Sequence, residues 1–237
     1  MPRTSQVNDV QPGAPRSRKG AATRARLVES AKEEFEETGF LETRISDIAK
    51  RAGVSHGSFY HYFDSKEQIF REVAEAQETL LTASDDGDGP GPDATEFDRI
   101  LRANRRYLDR YRANGKIMGV IEEVSRYDTV VNEARMQRQK HFAERAEASV
   151  RRLQAQGLAD LDIDPEIAAV ALGAMIARFA ELWLVEDWAD YPFDHATDQV
   201  TRLWANAIGL PIDTVAAPFA VPAPNKSRRE MSSRKRS

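Results

Sequence analysis

Apolar residues along this chain recur three and four positions apart, and no segment alternates polar and apolar side chains in steps of two. That periodicity calls for helices and excludes strands buried on one face, so the fold class expected is all-α. Start and stop signals divide the pattern. Leu27, Val28, Ala31 and Phe35 mark one face of a first helix, opening at Thr23 and ended by Gly39 at its C′ position. Thr43 is placed to cap a second helix, with Ile45, Ile48, Ala49 and Ala52 inside and Gly53 as its stop. Ser55 caps a short third helix running to about Tyr62. Ser65 and Gln68 form a capping box that starts a fourth, over residues 66 to about 83.

Residues 84–94, SDDGDGPGPDA, cannot continue a helix, because Gly and Pro break it and four aspartates solvate it. Beyond this loop, Phe97, Ile100, Leu101, Tyr107, Leu108 and Tyr111 form the stripe of a fifth helix. Gly115 separates it from a sixth, around residues 117–124. A seventh covers about 129–156 and is closed by Gly157. Asp164-Pro165-Glu166 combines a cap, a proline at the first helical position and an acid facing the dipole. The helix it opens runs to about Glu186 and is apolar nearly all round, so burial on more than one side is expected. Asp194 opens the last helix, which ends at Gly209-Leu210-Pro211.

Among the 237 residues, 41% are hydrophobic and 30% charged, enough for a sizeable core and unlike a disordered chain. The longest run without a polar side chain, residues 167–177, is shorter than the ~18 apolar residues of a membrane span, so no membrane partner is expected. The first 20 residues contain no apolar stretch of a leader peptide, and there is no cysteine, which suits a cytoplasmic protein and excludes disulfides and Cys-based zinc sites. The net charge of −4 is unevenly spread. Residues 1–66 carry 11 basic and 9 acidic side chains, residues 67–215 carry 17 and 28, and residues 216–237 carry 6 and 1. A nucleic-acid surface therefore belongs at the N-terminus or in the tail.

Ala49, Gly53 and Phe59 stand at the offsets of a helix-turn-helix. The alanine lets two helices cross closely, the glycine takes a positive φ at the turn, and Val54 and Phe59 pack the second helix onto the first. His56, Gly57, Ser58, Tyr60 and His61 are left facing outward on a helix whose width suits the major groove. Arg16, Arg18 and Lys19 end a Pro-, Gly- and Ser-rich arm that either follows the minor groove or is merely solvated. The tail cluster Lys226, Arg228, Arg229, Arg234, Lys235 and Arg236 reads first as a solvated tail.

Residues 23–70, from TRARLVESAKEEF through TRISDIAKRAGVSHGSFYHYFDSKEQIF, resemble the DNA-binding domain of the TetR family of transcriptional regulators. GVSHGSFYHYFDSKEQIF carries most of the likeness. The resemblance implies an all-helical homodimer, a C-terminal domain with a small-molecule pocket, and repression of a palindromic operator relieved by an apolar or amphipathic ligand. By similarity Thr43 and Arg44 touch phosphate at the start of the second helix. Ser55, His56, Gly57, Ser58 and His61 face base edges, Tyr60 and Tyr62 bind phosphates, and Lys66 reaches the DNA backbone. Tyr62 has a core aromatic role as its alternative, and Lys66 that of a solvated first-turn lysine. The family often has a larger residue at position 57, and glycine there weakens the short helix. The expected division is a flexible basic arm over 1–20, the helix-turn-helix domain over 21–66, a connecting helix over 67–83, the loop over 84–94, a helical ligand-binding and dimerisation domain over 95–210, and a disordered basic tail over 211–237.

Two other chemistries compete. Gly53-Val54-Ser55-His56-Gly57 fits the G-x-S-x-G elbow of serine hydrolases, but that motif works at a strand-to-helix turn and no strand is legible. The four histidines assemble no metal site, since His56 and His61 face apart and His141 with Glu144 lacks a third ligand. No enzyme activity and no cofactor are expected. In the second domain Tyr107, Tyr111, Met118, Phe142, Met175, Phe179 and Trp183 are core residues by spacing and candidate pocket residues by resemblance. Arg178 either pairs with Glu181 or receives an anionic ligand group. The small residues of helix 164–186, with Trp204 and Ile208, suggest a four-helix dimer interface by resemblance. A helix-turn-helix protein without any ligand remains the first rival.

Overall fold

The computed structural model describes residues 18–83 and 94–212, and these form helices with no strand among them. The expectations placed on residues 1–17, 84–93 and 213–237, including Arg16 and the tail cations, lie outside the described residues. In chain order the helices are α1 (Arg18–Glu42), α2 (Ile45–Arg51), α3 (His56–Phe59), α4 (Lys66–Thr82), α5 (Glu96–Ala113), α6 (Gly115–Val124), α7 (Thr129–Ala155), α8 (Pro165–Leu184) and α9 (Phe193–Ala207). α1 starts at Arg18, five residues before Thr23, so Arg18 and Lys19 ride on a helix rather than on an arm. Thr23 is no cap; its hydroxyl donates back to the Lys19 carbonyl at 3.0 Å.

α1 buries Leu27, Ala31 and Phe35, one helical turn apart, with Phe40 beyond the kink at Gly39, where φ is +79°. Phe35 and Phe40 each meet Phe70 of α4 edge-on at 4.9 Å between ring centres. Fully burying each such ring is worth ~1.5–3 kcal/mol, and T-shaped contacts add ~0.5–1.5. α2 ends in a Schellman motif: Val54 N–H donates to the Ala49 carbonyl at 3.0 Å and Gly53 N–H to Lys50 at 3.1 Å, with Gly53 at φ +66°. That turn fixes the angle at which α3 leaves α2. Ser55 caps α3 by accepting from Ser58 N–H at 3.1 Å. The helix proper stops at Phe59, shorter than expected, but hydrogen-bonded turns continue through Phe63.

α4 is capped by Ser65, and Gln68 returns its bond to Asp64 N–H rather than to the cap itself. The helix joins the halves of the molecule: it packs on α1 along one side and on α5 and α7 along the other. Ile69, Phe70, Val73, Ala74 and Leu81 all enter one continuous core, while Leu80 stays exposed. α7 and α8 lie along each other, and α9 closes over α5.

α8 departs from expectation. It buries only one side in a single chain, through Ala169, Leu172, Ile176 and Ala180, while Ile167 is 70% and Val170 59% exposed. Its 20 residues, with a mean hydropathy of 1.7 over the best window, would cross a membrane by length and composition alone, so the run-length exclusion was too strict. Leu172, Ile176 and Ala180 are instead packed into the shared core.

Candidate nucleic-acid interface and cavity

Phe59 is fully buried beneath α3, and Ile48 and Ala49 of α2 are buried beside it, so the outer face of α3 is held rigidly. That face presents Ser55, His56, Gly57, Tyr60 and His61 to solvent, with Ser58 half-buried. The His56 and Tyr60 rings meet edge-on at 5.3 Å, which orders two of the outward side chains. Ser55 and Ser58 share a hydroxyl contact of 2.7 Å, so part of their hydrogen-bonding capacity is spent on the cap. Tyr60 is 47% exposed, Tyr62 is half-buried against the core, and Phe63 is buried. A Cβ on Gly57 would meet nothing within 4 Å, so a larger residue fits there. Arg44 stands exposed immediately before α2, in extended backbone, and Lys50 is exposed at the other end of that helix.

Two residues assigned to DNA by resemblance are engaged elsewhere. Thr43 is buried and caps nothing; Arg44 occupies the cap position of α2. The Thr43 hydroxyl donates to the Gly39 carbonyl at 2.7 Å and meets the Thr38 hydroxyl at 2.8 Å. It therefore ties the α1–α2 turn, and its side chain does not reach a phosphate. Lys66 is half-buried, and its ammonium is turned back onto the end of α1 and the turn that follows. Its Nζ donates to the carbonyls of Phe40 at 2.6 Å, Leu41 at 3.0 Å and Thr43 at 3.0 Å, and it lies 4.6 Å from the Phe40 ring centre. An ammonium has three donors, and all three are used on the C-terminal end of α1 and the turn after it, where a positive charge also favours the helix dipole.

Further cations of this half are neutralised by acids. Arg51 bonds Glu33, Glu34 and Glu37 at 2.5 to 3.0 Å, and these bonds raise its pKa above the usual arginine value. Arg24 pairs with Glu72 of α4 and stacks over Phe63 at 4.8 Å. The net charge of the region therefore overstates the positive charge at its surface, which comes from exposed Arg18, Lys19, Arg26, Arg44 and Lys50.

A cavity of about 500 Å³ lies between α4, α5, α7, α8 and α9, within the ~300–1,000 Å³ of small-molecule sites. Of the eight candidates named from sequence, Tyr107 and Phe142 line it, in edge contact at 5.2 Å. The others do not. Tyr111 and Met118 are sealed in the core. Phe179 and Trp183 join Tyr191 and Phe193 in an aromatic cluster at the far end of α8, and Met175 is packed against the core outside the cavity. Arg178 is exposed and held by Glu181 at 2.7 Å and Glu186 at 3.0 Å, so of its two sequence alternatives the structure shows the ion pair.

Sequence reasoning missed Arg138. It lines the cavity, is 3% exposed and sits between Glu78 of α4, at 3.1 Å from its Nε, and Glu122 of α6, at 3.3 Å from its Nη2. Arg135 holds the other Glu122 oxygen at 2.6 Å. Burial pushes the Glu78 carboxyl up to about 7, against the pull of Arg138. One signal was available: Arg138 occupies an apolar slot in the α7 stripe of Val131, Phe142, Ala146, Val150 and Leu153.

Residues 27–73 match the family model for bacterial regulatory proteins of the tetR family. Over 55 residues the chain is 47% identical to the uncharacterized HTH-type transcriptional regulator YdgC of Bacillus subtilis, an alignment covering 23% of this chain and 28% of that protein. The alignment with this relative thus spans under a third of its length. Over 195 residues the chain is 28% identical to the HTH-type transcriptional regulator TtgR of Pseudomonas putida, covering 73% of this chain and 90% of the relative. Other matches include proteins named as repressors in Escherichia coli and Mycolicibacterium smegmatis. The fold is similar to that of the fatty acid degradation regulator FadR from Bacillus halodurans, with a TM-score of 0.64 and 17% identity over 80% of this chain and 97% of that one. At that identity the likeness concerns the fold alone. These relatives are regulators, not enzymes, and the segment containing Ser55 joins two helices rather than a strand and a helix.

Proposed function

Because the chain belongs to the TetR family of bacterial regulatory proteins, we propose that this DNA-binding transcriptional regulator is a cytoplasmic homodimeric repressor that leaves a palindromic operator when a small amphipathic molecule occupies its cavity. Residues 21–66 read DNA, α4 carries the signal across residues 67–83, and residues 95–210 bind ligand and dimerise. Ser55, His56, Gly57, Ser58 and His61 face base edges, while Arg44, Tyr60 and Tyr62 touch phosphate. The single observation behind the DNA assignment is the outward polar face of α3, locked onto α2 by buried Phe59 and by the turn at Gly53. Ile167, Val170 and Leu203, apolar and exposed on α8 and α9, support a dimer, because a second copy would remove them from water. The cavity between α5 and α7 favours ligand control over a regulator without a ligand.

α4 is 17 residues long, ~25 Å at 1.5 Å per residue, so it reaches from the α1–α2 turn to the cavity wall as one rigid element. A tilt at Leu81 then changes the separation of the two α3 helices in the dimer. The test is selection from a pool of randomised duplexes with the full-length protein. Enrichment of two-fold sites with half-sites ~34 Å apart, or a modest multiple, is expected. A monomer in sedimentation together with enrichment of lone half-sites would refute the dimeric reading.

A further inference from the structure

Residues 67–215 hold 17 basic and 28 acidic side chains, yet the cavity inside them is lined by seven basic residues and one acid, Glu96, among the described residues. Glu96 is itself neutralised, bonded by Arg152 at 3.0 and 2.9 Å and paired with Arg99 at 3.5 Å. The inner walls are apolar, through Ile100, Tyr107, Phe142, Ile176 and Trp204. The site therefore sorts charge against the trend of its own surroundings, and it pairs an apolar interior with a basic lining.

Arg138 adds a specific demand. It is nine-tenths buried or more, Nε faces Glu78 and Nη2 donates to Glu122, but Nη1 has no hydrogen-bond partner among the described residues. A buried charged N–H without an acceptor is unfavourable, and an oxygen anion is the acceptor that best relieves it. A cation entering this cavity would meet a lining in which basic side chains outnumber acids. A neutral ligand could answer the guanidinium only with an uncharged oxygen, a weaker bond than a carboxylate makes.

We propose that the cavity takes an amphipathic carboxylate, an apolar body with one acidic head, and that Arg138 receives the head. The proposal rests on the reading of the cavity as the effector site and names the ligand class for it. It also gives the ligand a route to α4. Arg138 is where α7 holds Glu78, and a second carboxylate on the same guanidinium competes with Glu78 for its charge. Burial already favours the protonated form of Glu78, so this side chain can release Arg138 without being left as an unpaired buried anion.

The test compares decanoate, decanol and decylamine, which share a chain and differ in head charge, by calorimetric titration of the full-length protein at neutral pH. Decanoate should bind at least tenfold more tightly than decanol, and decylamine should not bind. Replacing Arg138 and Glu78 together by Gln removes one buried charge of each sign, and should abolish the preference for the acid while decanol still binds. If that double variant fails to fold, Arg145→Glu on the exposed lining should weaken decanoate severalfold and leave decanol unchanged. Equal affinity for acid and alcohol, or tighter binding of the amine, would overturn the anionic class while leaving a ligand-controlled regulator standing. No binding of any of the three, with no retained mass in native mass spectrometry, would overturn both.

Discussion

Lys66→Met isolates the role of one ammonium. The wild-type Nζ donates to three carbonyls at the end of α1 and the start of the α1–α2 turn, and it stacks over Phe40. A hydrogen bond from a charged donor contributes ~1.5–3 kcal/mol, and a cation over a ring ~0.5–1. Lys66 is half-buried, so water recovers part of each lost bond, and the low end of each range applies. With three bonds at ~1.5 kcal/mol and the ring contact at ~0.5, the loss should be at most about 5 kcal/mol, seen as a lower urea midpoint at matched protein concentration. The second readout is DNA affinity against salt. A phosphate contact adds ~0.9 to the slope of log K against log salt, so a lysine that touched DNA would lower the slope by about that much per subunit. Lys66→Met should leave the slope unchanged and weaken binding to all sequences alike, because the turn that positions α2 is loosened. An unchanged urea midpoint with a slope lower by about one per subunit would refute the capping role and restore a phosphate contact.

Glu78 has a folded pKa of about 7 against an ordinary 4.5, with Arg138, Glu122 and Arg135 the charges around it. A raised carboxylate contributes stability that is complete below pH 4.5 and is lost as pH rises through 7, on the order of 3 kcal/mol in all. The stability of Glu78→Gln relative to wild type should therefore increase between pH 5 and 8 in urea titrations, and a flat difference would show that Glu78 titrates normally. Gly57→Ala should raise thermal stability, by ~0.5–1 kcal/mol, because the site is helical and open; a fall in melting temperature would mean that the α3 backbone needs glycine. Tyr60→Phe should weaken all duplexes alike, whereas His61→Ala should change which sequence a selection enriches. Val170→Glu should convert the dimer to monomer in sedimentation, and a persistent dimer would place the interface elsewhere.

What the sequence disclosed was local. Ser55, Ser65 and Asp164 cap the helices they precede, and Gly53 and Gly157 take the positive φ their stops require, because such signals act within a few residues. Thr43 precedes a helix as a cap would, but its hydroxyl found a better partner four residues back at Gly39. Lys66 looked like a phosphate ligand because its partners lie some 25 residues earlier and become neighbours only once Phe40 and Phe70 pack. The pocket was the least legible part. Tyr107 and Phe142 line it while Tyr111 and Met118 do not, and that division depends on how α5, α6 and α7 are rotated about their axes, which spacing does not specify. α8 reads as buried on several sides because its composition is apolar nearly all round, whereas in the single chain Ile167 and Val170 stay exposed, the face the proposed dimer would cover.

The central claim is that cavity and DNA favour different states of α4, and one titration tests it. Decanoate is titrated calorimetrically into the full-length protein, alone and saturated with the duplex enriched by selection. The account predicts weaker decanoate binding in the presence of DNA by roughly 5–150-fold, equal to the factor by which decanoate weakens DNA, since coupling between sites is reciprocal. Measurable binding with the same affinity in both titrations would contradict it.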